Sequence, residues 1–256
     1  MQDIKNESRL AVLIDSDNVS HKYVKVLMDE IALYGTPTIK RIYGDWTNAL
    51  ISGWKNVLLP YAITPVQQYS YTFGKNATDS ALIIDAMDIL YSRQVDGFCI
   101  VSSDSDFTRL ATRLRESGLK VYGIGERKTP EPFIAACDRF IYLEVLLDSQ
   151  EEEGETDGAG EKSRTQTGKP QWGKVPEDVL ELIVNSVNDV ADDDGWAFLG
   201  DVGNLLLRKR PSFDSRNYGF TKLTPLIQST NLFDIDQRDT SNKGIKHIYI
   251  RVRNSD

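Results

Sequence analysis

Two short apolar runs in this chain each end in carboxylates. Leu10-Ala11-Val12-Leu13-Ile14 leads into Asp15-Ser16-Asp17-Asn18, and Gly97-Phe98-Cys99-Ile100-Val101 leads into Ser102-Ser103-Asp104-Ser105-Asp106-Phe107. An unbroken apolar run of this length marks a strand buried on both faces, which parallel sheets achieve by covering each face with crossover helices. In open sheets of that kind, ligands bind beyond the carboxyl ends of the strands. Both acidic turns fall there, so the pattern that fixes the fold also places two sets of carboxylates at one edge.

The rest of the first half fits the same plan. Helical spacing is expected from about Val19 to Tyr34, with Asn18 as a candidate cap, until Gly35-Thr36-Pro37 stops it. Thr38 to Tyr43 reads as a second strand and Asn48 to Trp54 as a short helix. Val57 to Val66 reads as a third extended run, with a register made uncertain by Pro60 and Pro65. Leu82, Ile83, Ala86 and Ile89 stripe a helix that runs from Asn76 or Thr78 to about Tyr91, which puts Asp79 in its first turn. A helix from Thr108 to Glu116 closed by Gly118, a strand from Lys120 to Ile124, a short helix from Phe133 to Ala136 and a strand from Arg139 to Leu143 complete an alternating order.

Composition changes after Leu147. Asp148 to Gln171 holds Asp148, Glu151, Glu152, Glu153, Glu155, Asp157 and Glu161 among Gly, Ser and Thr, with almost nothing apolar. Such a stretch cannot offset its ordering entropy and reads as a flexible acidic linker. From Trp172 onward, helical patterns at Val175–Val190, Asp201–Lys209 and Tyr218–Ser229 precede two strand-like segments, Leu232–Ile235 and Ile245–Val252. Three helices and a ribbon is the order of a winged helix-turn-helix. The expected division is 1–147, 148–171 and 172–256.

Composition excludes several chemistries. Histidine occurs only at 21 and 247, which argues against histidine-based catalysis or a zinc site. Cys99 and Cys137 sit in apolar surroundings and read as buried thiols of a reducing, cytoplasmic compartment. No apolar stretch approaches a membrane span, and Met1 to Arg9 has no signal-peptide pattern. The net charge of −8 offers no overall attraction to nucleic acid. Between Val202 and Arg253, however, ten basic residues stand against four acidic ones, with Tyr218, Phe220 and Tyr249 interleaved. Cations with aromatics suit single-stranded or structured nucleic acid. The competing reading is a solvated helix face with Phe220 and Tyr249 in the core.

Asp15, Asp79, Asp104 and Asp106, with Asp17 as an outer member, all lie where a strand ends or a helix begins. Crowded carboxylates repel unless they are protonated or neutralised by cations. Mg²⁺ or Mn²⁺ prefers such an oxygen shell and activates water for phosphodiester displacement, one ion or two about 4 Å apart. The competing reading is a set of ordinary turn and cap aspartates. Taken in order, Leu13-Ile14-Asp15-Ser16-Asp17-Asn18, Lys75-Asn76-Ala77-Thr78-Asp79 and Val101-Ser102-Ser103-Asp104-Ser105-Asp106-Phe107 resemble the NYN domain, a relative of PIN nucleases with a FEN-like fold. The resemblance covers roughly Arg9 to Leu147. It implies a PIN-like, Rossmann-like parallel α/β sheet and a Mg²⁺- or Mn²⁺-dependent ribonuclease; an endonucleolytic mode is expected over an exonucleolytic one. It further implies that Asp15, Asp79, Asp104 and Asp106 ligate metal, that Asn18 orients the site, and that Lys75 and Ser103 lie beside the scissile phosphate. Two alternatives stand beside it. One is a non-catalytic RNA-binding or protein-interaction adaptor. The other is a phosphatase of the haloacid dehalogenase type, suggested by Asp15-x-Asp17.

The later segments Asp194-Gly195-Trp196, Val202-Gly203-Asn204 and Asn217-Tyr218-Gly219-Phe220 resemble the LOTUS domain, also called OST-HTH, over roughly Val175 to Arg253. That resemblance implies a winged helix for RNA, including G-rich structured RNA, or in some relatives for a protein partner. The expected nucleic-acid contacts are Arg208, Lys209, Arg210, Arg216, Tyr218, Lys222, Lys243 and Lys246.

Overall fold

Strand β1 (Arg9–Asp15) is buried at every residue after the first, as its apolar run requires. The computed structural model describes residues 7–69, 77–147, 175–239 and 246–253. The expected linker, Lys75 and Lys243 lie outside the described residues. The chain divides into two compact units, Met1–Gly158 and Ala159–Asp256.

In the first unit, β1 pairs in parallel with β2 (Thr36–Gly44) on one side and β4 (Gly97–Val101) on the other. β3 (Thr64–Gln67), β5 (Lys120–Gly125) and β6 (Arg139–Tyr142) extend the sheet to the order β3-β2-β1-β4-β5-β6, parallel throughout. Alternate side chains serve opposite faces. Ala11, Leu13, Phe98 and Ile100 pack beneath α3 (Ala77–Ser92), α4 (Thr108–Glu116) and α5 (Glu131–Ala136). Leu10, Val12, Ile14, Cys99 and Val101 pack beneath α1 (Val24–Ala32), together with Trp54. Each fully buried aliphatic contributes about 1.5–3 kcal/mol, so the two faces supply most of the driving force. A helical stretch at residues 143–147 (α6) follows β6. The chain leaves β1 for one face and β4 for the other, and this switch opens a crevice at their carboxyl ends.

Two local expectations are corrected here. Lys55–Leu58 is helical (α2), not the start of a strand, and β3 begins only at Thr64. The Val57-Leu58-Leu59 run is too short for periodicity to separate helix from strand. Asn18 does not cap the following helix; Ser20 caps a 3-10 turn at His21–Tyr23 that precedes α1.

The second unit packs α7 (Glu177–Val190), α8 (Leu199–Lys209) and α9 (Leu223–Thr230) around Val179, Ile183, Val202, Leu206, Leu226 and Ile250. Its sheet runs β7 (Ala197–Phe198), β9 (Lys246–Val252), β8 (Phe233–Asp239), antiparallel throughout. The expected helix from Tyr218 is broken. A 3-10 turn at Ser215–Tyr218 ends at Gly219, whose φ of 87° suits glycine, and Lys222 is extended before α9 begins.

Candidate metal centre and nucleic-acid interface

Asp79, Asp104 and Asp106 each present a carboxylate oxygen within 4.8 Å of the other two. Three separate devices bring them together. Asp104 follows β4 and caps the 3-10 turn Ser105–Phe107, its Oδ1 accepting from the Asp106 amide at 2.9 Å. Asp106 lies inside that turn and is exposed. Asp79 stands in the first turn of α3, and α3 is clamped to β2 because Arg41 and Tyr43 both donate to Asp85.

Asp15 takes a different position. It is fully buried, and its two oxygens accept from the Asp17 amide (3.0 Å), from Asn18 Nδ2 (2.7 Å) and from Ser102 Oγ (2.8 Å). Ser102 Oγ in turn accepts from the Asp104 amide at 3.1 Å, so the ends of β1 and β4 are tied through one hydroxyl. Asp15 stands outside the three-carboxylate set but close enough for its charge to act on Asp79. Burial raises the Asp15 carboxyl above its ordinary range, while Asn18, Ser102 and the Asp17 amide pull it back. Asp79 is pushed up to about 6, first by burial and then by the charges of Asp15, Asp104, Asp106 and Asp17. A crowded all-oxygen set in which Asp79 is held back from ionising is what a hard divalent cation relieves, so the donors present fit such an ion.

The structure brings Asp79, Asp104 and Asp106 together and links Asn18 and Asp15 to the Asp104 turn through Ser102. Ser103 is buried and turns elsewhere, its Oγ accepting from the Glu126 amide at 2.8 Å. Ser102 does the bridging, and sequence reasoning passed over it in favour of its neighbour. Gly125 is a second residue it missed. A Cβ there would sit 2.5 Å from the Ser102 carbonyl oxygen, so this close approach of β5 to the acidic turn needs glycine.

In the second unit the basic residues do not share one state. Lys209 pairs with Asp189 (2.5 Å) and Arg210 with Asp178 (2.9 Å), both acids from α7. Arg216 pairs with the buried Asp214 at 2.8 Å. Arg208, Lys222 and Lys246 are exposed and form no ion pair among the described residues. Tyr218 and Phe220 pack on the core, as the competing reading had it for Phe220. The outer face of the small sheet carries two arginines that were not among the expected nucleic-acid contacts. Arg238 lies 4.1 Å over Tyr249 and 5.5 Å over Trp196, and Arg251 lies 4.7 Å over Trp196. Phe198 lies against His247 and Tyr249, its ring tilted to both. Strand alternation puts residues 247, 249 and 251 on one face, a signal that was present in the sequence.

A doubly wound parallel sheet with carboxylates at its switch point has the PIN-like α/β architecture, and the second unit has that of a small winged helix. Comparison with known families agrees: the NYN domain model matches residues 9–144 and the OST-HTH/LOTUS domain model residues 171–245. The chain belongs to the NYN domain family and carries a C-terminal LOTUS domain. It is similar to Uncharacterized protein MJ0482 of Methanocaldococcus jannaschii, 27% identical over 125 residues, or 47% of this chain and 49% of that protein. The chain thus spans about half the length of the curated relative it matches. Among solved structures, it is similar to an uncharacterized protein from gene locus NE0665 of Nitrosomonas europaea. That match is 28% identical with a TM-score of 0.30, covering 40% of this chain and 95% of that one. It is also similar to VPA0982 of Vibrio parahaemolyticus, a protein of unknown function, at 20% identity and a TM-score of 0.44, covering 55% of this chain and 94% of that one. No helix among the described residues is long and apolar enough to cross a membrane.

Proposed function

We propose that this chain is a Mg²⁺- or Mn²⁺-dependent ribonuclease, endonucleolytic in mode and cytoplasmic, with residues 1–147 hydrolysing RNA and residues 172–256 recruiting it. The observation that carries this reading is the meeting of Asp79, Asp104 and Asp106 within 4.8 Å at the switch point of the sheet. When bound, a hard divalent ion supplies Lewis acidity toward a phosphoryl oxygen and a water of lowered pKa. The chain's own residues do the rest. Asp79, Asp104 and Asp106 would hold the ion. Asp15, Asn18 and Ser102 fix the turn that carries Asp104. Asp79, its carboxyl pushed up to about 6, would have to be deprotonated to hold the ion.

The geometry gives no support to the phosphatase alternative, because a nucleophilic aspartate needs an accessible oxygen and Asp15 is buried with both oxygens hydrogen-bonded. For the LOTUS domain we assign single-stranded or structured RNA, G-rich RNA included, through Arg208, Lys222 and Lys246. A protein partner is the second reading there, favoured by the internal pairing of Lys209, Arg210 and Arg216. Incubating the full chain with labelled single-stranded RNA in Mn²⁺ or in chelator tests the enzyme: cleavage in Mn²⁺ alone supports it, and intact RNA in both rejects it.

A further inference from the structure

We propose that a second nucleotide-binding subsite lies at the far ends of α3 and α4, built from Tyr91, Arg93 and Arg113 and reached from the carboxylates by way of Arg109. The inference rests on the ribonuclease reading and extends it to the path of the RNA strand. An acidic centre repels a polyanion, so a strand must be held by cations beside it.

Both helices start at the acidic centre, with Asp79 in the first turn of α3 and Asp106 just ahead of α4. Both run to the opposite edge of the sheet. On α4, Arg109 and Arg113 are four residues apart, one turn or about 6 Å along the same exposed stripe. Arg113 continues that stripe by donating to Ser117 Oγ at 2.9 Å, and it reaches across to the Tyr91 hydroxyl on α3 at 3.5 Å. Tyr91 is 69% exposed, an unusual setting for an aromatic ring that has a core within reach. It lies twelve residues after Asp79, about 18 Å along the helix, a span of a few nucleotides. Beyond it, Leu90, Tyr91, Arg93, Val95, Ser117 and Leu119 line a cavity of about 410 Å³, room for a base with its sugar. Arg93 enters that cavity wall from a left-handed turn, φ 55°, a conformation non-glycine residues seldom adopt.

Among the described residues, the strip is formed by arginines left without a carboxylate partner, while others in the unit are paired. Arg9, Arg41 and Arg115 are neutralised by Asp96, Asp85 and Asp138. Arg93, Arg109 and Arg113 make no ion pair among the described residues, although exposed carboxylates adjoin the strip, Asp88 on α3 and Glu116 at the end of α4. Unneutralised guanidinium groups beside an exposed ring suit a single strand, whose phosphates pair with cations while a base stacks on the aromatic face.

The test uses the full chain bearing Asp104→Asn, so the RNA stays intact, with single-stranded RNA carrying 4-thiouridine at successive positions. Photo-crosslinks are expected on the peptide that holds Tyr91. Tyr91→Ala should cut that yield about tenfold, Tyr91→Phe should keep it, and Arg109→Ala with Arg113→Ala should lower it while crosslinks within residues 175–253 persist. Crosslinks confined to residues 175–253, or labelling of the Tyr91 peptide unaffected by Tyr91→Ala, would overturn the proposal. Cleavage by the unmutated chain is scored separately, so a protein that binds RNA at Tyr91 without cutting it would refute the ribonuclease reading and leave the subsite standing.

Discussion

Replacing Ser102 with alanine isolates the link between the two acidic turns. The hydroxyl is fully buried, donates to Asp15 Oδ2 at 2.8 Å and accepts from the Asp104 amide at 3.1 Å. A hydrogen bond to a charged acceptor contributes about 1.5–3 kcal/mol, and a buried amide left without a partner costs roughly 1 kcal/mol more. The space vacated is smaller than the roughly 30 Å³ a water molecule occupies, so solvent does not replace the lost contacts. Ser102→Ala should therefore destabilise the first unit by about 3 kcal/mol. The loss should also depend on pH. Burial already lifts the Asp15 carboxyl, and removing a donor lifts it further, so the deficit is full where Asp15 is ionised and shrinks as pH falls and the group protonates. Hydrogen exchange of the β1 and β4 amides reports this unit alone. A deficit of about 3 kcal/mol would speed exchange governed by the opening equilibrium about 150-fold where Asp15 is ionised, with the change shrinking as pH falls. An acceleration below about fivefold, or one that does not shrink as pH is lowered until Asp15 protonates, would refute the network as described.

Asp79 predicts a second pH signature. Its folded pKa of about 6 lies above the ordinary 3.8, so the metal-free fold loses stability as pH rises between those values, and metal binding must release that proton. Urea midpoints measured across pH 4 to 8 should fall more steeply in the unmutated chain than in Asp79→Asn, which keeps only the contribution of groups such as Asp15, whereas parallel curves would remove the assignment. In the second unit, Arg208→Glu with Lys222→Glu should weaken RNA binding about tenfold or more and flatten its salt dependence by about 1.4 log units per log unit of salt, while Lys209→Glu, already paired, should do less. Equal effects of the paired and unpaired residues, read by fluorescence anisotropy, would contradict the interface drawn here.

The central strands were legible because β1 and β4 are buried on both faces and so leave unbroken apolar runs, and because the turns after them are rich in aspartate. Which carboxylate faces which way was not legible. Asp15 ends its strand buried among donors, while Asp104 and Asp106 follow theirs in a 3-10 turn that aims outward, and nothing in the residue types distinguishes them. Ser102 and Ser103 differ in role only because the strand's alternation still holds for one more step past Val101. The basic excess counted from Val202 onward overlooked acids supplied by α7, since Asp178 and Asp189 are near Arg210 and Lys209 only once the helices pack. Gly219 broke the third helix for a reason of backbone sign that hydrophobic spacing cannot carry.

The measurement that bears most directly on the account is the rate at which the full chain cuts a labelled single-stranded RNA in saturating Mn²⁺, set beside the same chain carrying Asp104→Asn. Loss of a ligand from the three-carboxylate set should lower the rate at least a hundredfold while β1 and β4 keep their hydrogen-exchange protection. Equal rates for the two proteins, or cleavage that persists in chelator, would show that the carboxylates at the switch point are not where the chemistry occurs.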